Sequence, residues 1–219
     1  MPNPLATALA FLALALAGCQ SKDAHMISDT SDTRGADAPA QHLHFKQNPQ
    51  PKQAYRITIE IKNAPGPFES VEGFARYVAP ECHYISNHLA GVPSIPEEMV
   101  PISYAKLSDS MYEAIVYLDA MLDEDYFGNG VCHWELAIAD IRFSRTGSND
   151  ESKFIASIHG DIIRSEGTEL SYLQRAFYPE DSQIKDLQVF GRTDRQNMAS
   201  TLSDQDLFTI SMISHKEAL

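Results

Sequence analysis

Four carboxylates, Asp119, Asp123, Glu124 and Asp125, precede Gly128, Asn129 and Gly130. Clustered oxygen donors beside a tight turn suit a hard cation such as calcium. The spacing argues for a plain acidic turn instead. Setting Asp123 and Asp125 at the first two ligand positions of an EF-hand loop puts Phe127 at the third, and no Glu closes the loop. Cys82 and Cys132 are each followed by a histidine, His83 and His133, the residue types of a thiolate and its base. Neighbours in a strand point to opposite faces, so neither pair forms a dyad. His42, His44, His88, His159 and His215 are scattered without a metal-binding helical spacing. There is no glycine-flanked serine, no phosphate-cradling loop and no GxGxxG. We therefore expect no catalytic residue, no metal and no cofactor.

The elements that would carry these residues begin with an export segment. Residues 5–18 contain no charge and alternate Leu with Ala. Such a run is too short for a bilayer span, which takes roughly 20 residues, and matches the apolar region of a signal peptide, about 7 to 15. Ala17 and Gly18 allow a peptidase close approach to the backbone, and the Cys19 thiol that follows can take a diacylglyceryl group. This stretch resembles the lipobox of bacterial lipoproteins. The resemblance implies cleavage before Cys19, acylation of that residue (diacylglyceryl and palmitate), and, with Gln20 rather than Asp next to it, the outer membrane, facing the periplasm.

Processing leaves about 200 residues, enough for one domain and a tether. The expected division is signal peptide over 1–18, lipidated Cys19 and flexible linker over 19–52, and a single domain over 53–219. The linker is rich in Asp, Ser, Thr, Gln and Pro and poor in large apolar residues. The formal net charge of −13 disfavours nucleic acid as a partner. Between Glu97 and Asp125 eight acids stand against one base, Lys106. A surface of that kind either solvates the domain or steers it toward a cationic partner. With Cys19 acylated, Cys82 and Cys132 are the two remaining thiols, and an oxidising compartment predicts a disulfide between them.

Strand periodicity dominates the remainder. Tyr55, Ile57, Ile59 and Ile61 alternate with polar residues, predicting a strand with one buried face. A returning strand is expected over 74–78, a hairpin over 100–107 and 111–119, and a long central strand in which Cys132, Trp134, Leu136 and Ile138 share a face. Further strands are expected over 154–164 and 207–214, with a long loop over 81–99 and a polar, poorly periodic stretch over 179–206. This pattern reads as mainly β: an antiparallel sandwich or partly closed barrel with long loops.

At DYFGNGVCHWEL, residues 125–136, the chain is similar to small lipoproteins of bacterial envelopes, some of which resemble immunity proteins against toxins delivered into the periplasm by contact-dependent secretion systems. The resemblance implies a non-enzymatic β-rich domain that binds a hydrolytic effector and occludes it. From the residues themselves, Asp123, Glu124 and Asp125 would speed encounter with a basic protein, and Tyr126 and Phe127 would supply buried contact. The alternative is a structural or assembly lipoprotein of the envelope.

Overall fold

The computed structural model describes residues 44–87, 91–178 and 186–218. Residues 1–43, with the export segment, Cys19 and His42, lie outside them, as does His88. The strands are β1 (Ala54–Lys62), β2 (Ser70–Val78), β3 (Tyr84–Asn87), β4 (Val92–Ser94), β5 (Glu97–Pro101), β6 (Tyr104–Ser108), β7 (Met111–Tyr117), β8 (Glu135–Ser144), β9 (Lys153–His159), β10 (Thr168–Gln174), β11 (Gln188–Phe190) and β12 (Leu207–Lys216), with one short helix, α1 (Gly160–Arg164), after β9. One sheet has the order β10-β12-β1-β7-β6 and the other β11-β9-β8-β2-β5. All pairings in the two are antiparallel except β11 on β9. The fold is mainly β, two sheets packed face to face as a sandwich without closing into a barrel.

Period-2 patterning explains the core. Tyr55, Ile57, Ile59 and Ile61 of β1, with Phe208, Ile210 and Met212 of β12, meet Ala139, Ile141 and Phe143 of β8 and Phe154, Ala156 and Ile158 of β9. The central strand departs from the expected parity. It starts at Glu135, and its register against β2 slips between Arg76 and Tyr77, leaving Ala137 as an extra residue. That bulge moves the buried face from Leu136 to the odd positions Ala139, Ile141 and Phe143, so Ile138 falls outside the core. Cys132 and Trp134 precede the strand.

Other expectations also change. β2 does not return against β1 but crosses to the opposite sheet, and Val100 lies in β5 beside β2 rather than in the β6–β7 hairpin. Residues 81–99, expected as loop, hold the small β3–β4 hairpin and the start of β5. Proline at Pro93 is tolerated there because this two-stranded ribbon has outer positions that need no N–H donor. The strand expected over 154–164 ends at His159, and α1 then places Ile163 in the core. β12 lies inside its sheet between β1 and β10.

Buried tyrosines join the layers. Tyr77 of β2 donates its hydroxyl to the Tyr117 carbonyl across the sandwich at 2.5 Å, and Tyr104 of β6 reaches the Asp140 carbonyl on β8 at 2.8 Å. Burial pushes both phenols well above the ordinary tyrosine value. Tyr112 spans from β7 to the Phe68 carbonyl at 3.2 Å. The rings of Tyr77 and Tyr112 fill the core and that of Tyr104 packs against it, while each hydroxyl donates to a backbone carbonyl. Tyr77→Phe should cost about 1 kcal/mol in urea unfolding, since it removes the hydroxyl donor to the Tyr117 carbonyl while keeping ring volume. An unchanged midpoint would mean the hydroxyl bond does not hold the sheets together.

Candidate functional site

The acidic segment leaves β7 and runs antiparallel to residues 44–53. Gln47 bridges to Met121, the Asn48 N–H donates to Ala120 O at 2.7 Å, and the Leu122 N–H donates to Lys46 O at 2.9 Å. The Asp119 carboxylate accepts the backbone N–H groups of Lys52 and Gln53, each at 2.9 Å. Residues 44–52, the last of the expected linker, are therefore docked onto the domain.

Each candidate acid has a local partner. Asp123 accepts the Trp134 N–H at 2.9 Å and meets His133 Nδ1 at 2.8 Å. Glu124 takes an ion pair from Lys46 Nζ at 2.7 Å, and that contact and charge raise the lysine's pKa. The Glu124 carbonyl accepts the Cys132 N–H at 2.9 Å, closing a loop of which Asp125 is the internal acceptor. Asp125 takes the N–H groups of Phe127 and Asn129 at 3.3 and 3.1 Å. Desolvation pushes its carboxyl upward, but backbone N–H groups of Gly130, Gly128, Phe127 and Asn129 together outweigh that and hold it below the ordinary range. The loop reaches this geometry through Gly128 and Gly130, both at positive φ, 73° and 117°. A carboxylate already ringed by amide donors is a loop-builder, the reverse of an open cation ligand. Among the described residues no group of three or more His, Cys, Asp or Glu comes together as a metal cluster.

The aromatic candidates divide their work. Tyr126 is half-buried, donates its hydroxyl to Leu122 O at 2.7 Å and accepts the Lys46 N–H. Phe45, from the segment expected as linker, is the hub, with ring centroids 5.3 Å from Tyr126, 6.4 Å from Phe127 and 4.9 Å from Trp134. Trp134 is half-buried in that cluster, rather than set in a strand face with Cys132, and its indole N–H has no acceptor among the described residues. Phe127 faces the other way and stacks on Tyr84 of β3 at 5.2 Å with rings 7° from parallel.

The Cys82–Cys132 disulfide, with Cα atoms 5.5 Å apart, ties the β3–β4 hairpin to this loop. Between them lies a cleft of about 380 Å³ lined by His83, Tyr84, Ile85, Pro93, Phe127 and Asn129. Its exposed lining is almost wholly apolar. Around it Ile85, Val92 and Val131 stand 48%, 60% and 52% exposed, too far out of the core to be explained by packing. A second, polar cleft of about 350 Å³ includes Asn48, Asp119, Asp123, Trp134, Glu135 and Arg164. Two of its carboxylates, Asp119 and Asp123, are the ones that accept backbone N–H groups.

The sequence singles out Asp123 to Phe127 and the two cysteines, of which the cysteines form the expected disulfide, and passes over Phe45, Tyr84 and Ile85. The signal for Phe45 was a lone large aromatic in a polar stretch. For the hairpin it was the apolar pairs Tyr84–Ile85 and Val92–Pro93 flanking a Gly91 turn at φ 64°. No family model, curated protein or solved structure matches this chain.

Two measurements follow from this geometry. Replacing Cys82 and Cys132 together by Ala should cost on the order of 4 kcal/mol, by the entropy of freeing a loop of 50 residues. Hydrogen exchange should then rise first in β3, β4 and residues 123–132; uniform loss across β1 and β12 would contradict a local clamp. Because Asp125 is held low, the order it supplies is complete above the ordinary carboxylate value of 3.8 and is lost only as pH falls below it. The amide resonances of Phe127 and Asn129 should stay fixed through pH 5 to 7 and move together at more acid pH, and Asp125→Asn should abolish that step.

Proposed function

We propose that this chain is a lipid-anchored protein of the bacterial cell envelope, held through Cys19 at the outer membrane facing the periplasm, that acts stoichiometrically by binding and occluding another protein. The fitting partner is a basic secreted effector of the hydrolytic-toxin kind, and the protein is its immunity factor. The observation that carries this reading is the pre-organised loop over residues 123–132. Its carboxylates, its aromatic rings and its disulfide are all committed to fixing one conformation, while neighbouring aliphatic side chains are left facing solvent. A surface already fixed loses little entropy on docking. The charge of −13 gives long-range attraction to a cationic protein. An apolar cleft without a convergent set of nucleophile and base suits contact rather than turnover.

In cells, a photo-crosslinking residue at position 85 or 131 should trap a discrete envelope protein, whereas the same probe at Thr209, on the face of β12 turned away from the core, should not. Cys19→Ser should release the protein from the membrane fraction. Equal trapping at all three positions, or none at any, would reject a binding role for this face.

A further inference from the structure

The two segments that line the apolar cleft between the β3–β4 hairpin and Phe127 carry charge of one sign, and one of their acids, Asp125, sits against the backbone of the lining residues Phe127 and Asn129. Residues 79–101 contain Glu81, Glu97 and Glu98 and no Lys or Arg; residues 119–135 contain Asp119, Asp123, Glu124, Asp125 and Glu135 and again no Lys or Arg. Of the cations that reach these segments from elsewhere, Lys46 is engaged by Glu124 and Arg76 by Glu97, while Arg164 lines the separate polar cleft with Asp119 and Asp123. The cleft floor is the stacked Tyr84–Phe127 pair, walled by Ile85 and Pro93. Its volume of about 380 Å³ lies at the small end of ligand sites, room for one large side chain and its neighbours rather than a cofactor.

We propose that this cleft receives a large apolar side chain, Trp or Leu in type, from a protein loop in which lysine or arginine flanks it on both sides. The inference rests on the binding role above and names the site and chemistry of the contact. The ring stack offers two aromatic faces and a fixed aliphatic wall, so an inserted side chain is desolvated without the cleft having to form first. The acids carried by the two lining segments then attract the flanking cations at long range, setting encounter rate and discriminating against acidic loops. A second copy of this chain fails the same test, since two molecules each carrying −13 bring like charge to the same rim. An anionic lipid surface fails it for the same reason.

Three short capped peptides test this on the full domain by methyl and aromatic NMR: Lys-Lys-Trp-Lys-Lys, Glu-Glu-Trp-Glu-Glu and Lys-Lys-Gly-Lys-Lys. The first should shift the Ile85 methyls and the Tyr84 and Phe127 rings, with a dissociation constant on the order of 1 mM. It should weaken at least about threefold when salt rises from 0.05 to 0.5 M. The other two should leave those resonances in place. Ile85→Ser, which removes a half-exposed side chain and spares the core, should lose the shifts. Phe127→Leu should weaken them with the disulfide intact.

Equal binding of the acidic and basic tryptophan peptides would overturn the proposal, as would an Ile85→Ser variant that binds like the parent. Shifts at Ile85 produced by phosphatidylglycerol vesicles but not by the basic peptide would overturn it in favour of a membrane surface. The peptides require no natural partner, so they can fail while crosslinking at position 131 still traps one, which would leave the binding role standing and move the contact off the cleft.

Discussion

The Cys82–Cys132 bond connects two segments that neither sheet of the sandwich secures. The β3–β4 hairpin pairs only with itself, and residues 123–132 close on themselves through an isolated bridge between Glu124 and Cys132. A two-stranded ribbon is marginal by itself in water. Cross-linking it to a loop that is in turn pinned by Phe45, Lys46 and Trp134 converts two weak pieces into one surface. The Tyr84–Phe127 stack depends on that link, since its two rings come from the two tied segments. So does the cleft between them.

Behind that surface, the sandwich is a stiff support. Its layers are held by the aliphatic core and by tyrosines whose hydroxyls end on carbonyls of the opposite layer or its connections. On one flank, Tyr172 of β10 and Arg192 after β11 exchange backbone bonds of 2.8 and 3.0 Å, hooking one sheet to the other. On the outer face, Arg56 of β1 lies between Glu113 of β7 and Glu217, just after β12, at 2.8 and 2.5 Å, which raises its own affinity for the proton. These pairs are partly solvated and weigh little in stability; they order charge on a surface that is otherwise strongly acidic.

How far the sequence discloses all this depends on whether a signal is local. β1, β12 and the β6–β7 hairpin are legible because alternation and turn residues are local properties. The crossing of β2 to the second sheet is not, because a chain that changes layers keeps the same period-2 pattern as one that turns back. The bulge at Ala137 is equally silent in composition, yet it reverses which half of β8 is buried. β10 was hidden because TELSYLQ buries only Ser171 and Leu173, and β3–β4 because Gly91 and Pro93 mimic loop chemistry. At the site, residue types were legible and their duties were not. Asp123, Glu124 and Asp125 read as a solvated charged edge, whereas each is spent first on a neighbour.

That distinction bears on how charge and contact are shared. If the three central acids supplied recognition directly, their partners in the free protein would have to be surrendered on docking, and the loop would loosen as the complex formed. Backbone donors to Asp123 and Asp125 make such an exchange costly, because each N–H left without an acceptor loses a full hydrogen bond. Other acids of the hairpin segment and β5, Glu81 and Glu98 among them, carry the same charge without a duty in the loop. The physical division is therefore between acids that shape the surface and acids that advertise it. In the proposed binding role, contact falls to the side chains the clamp holds outward, Ile85 and the Tyr84–Phe127 pair.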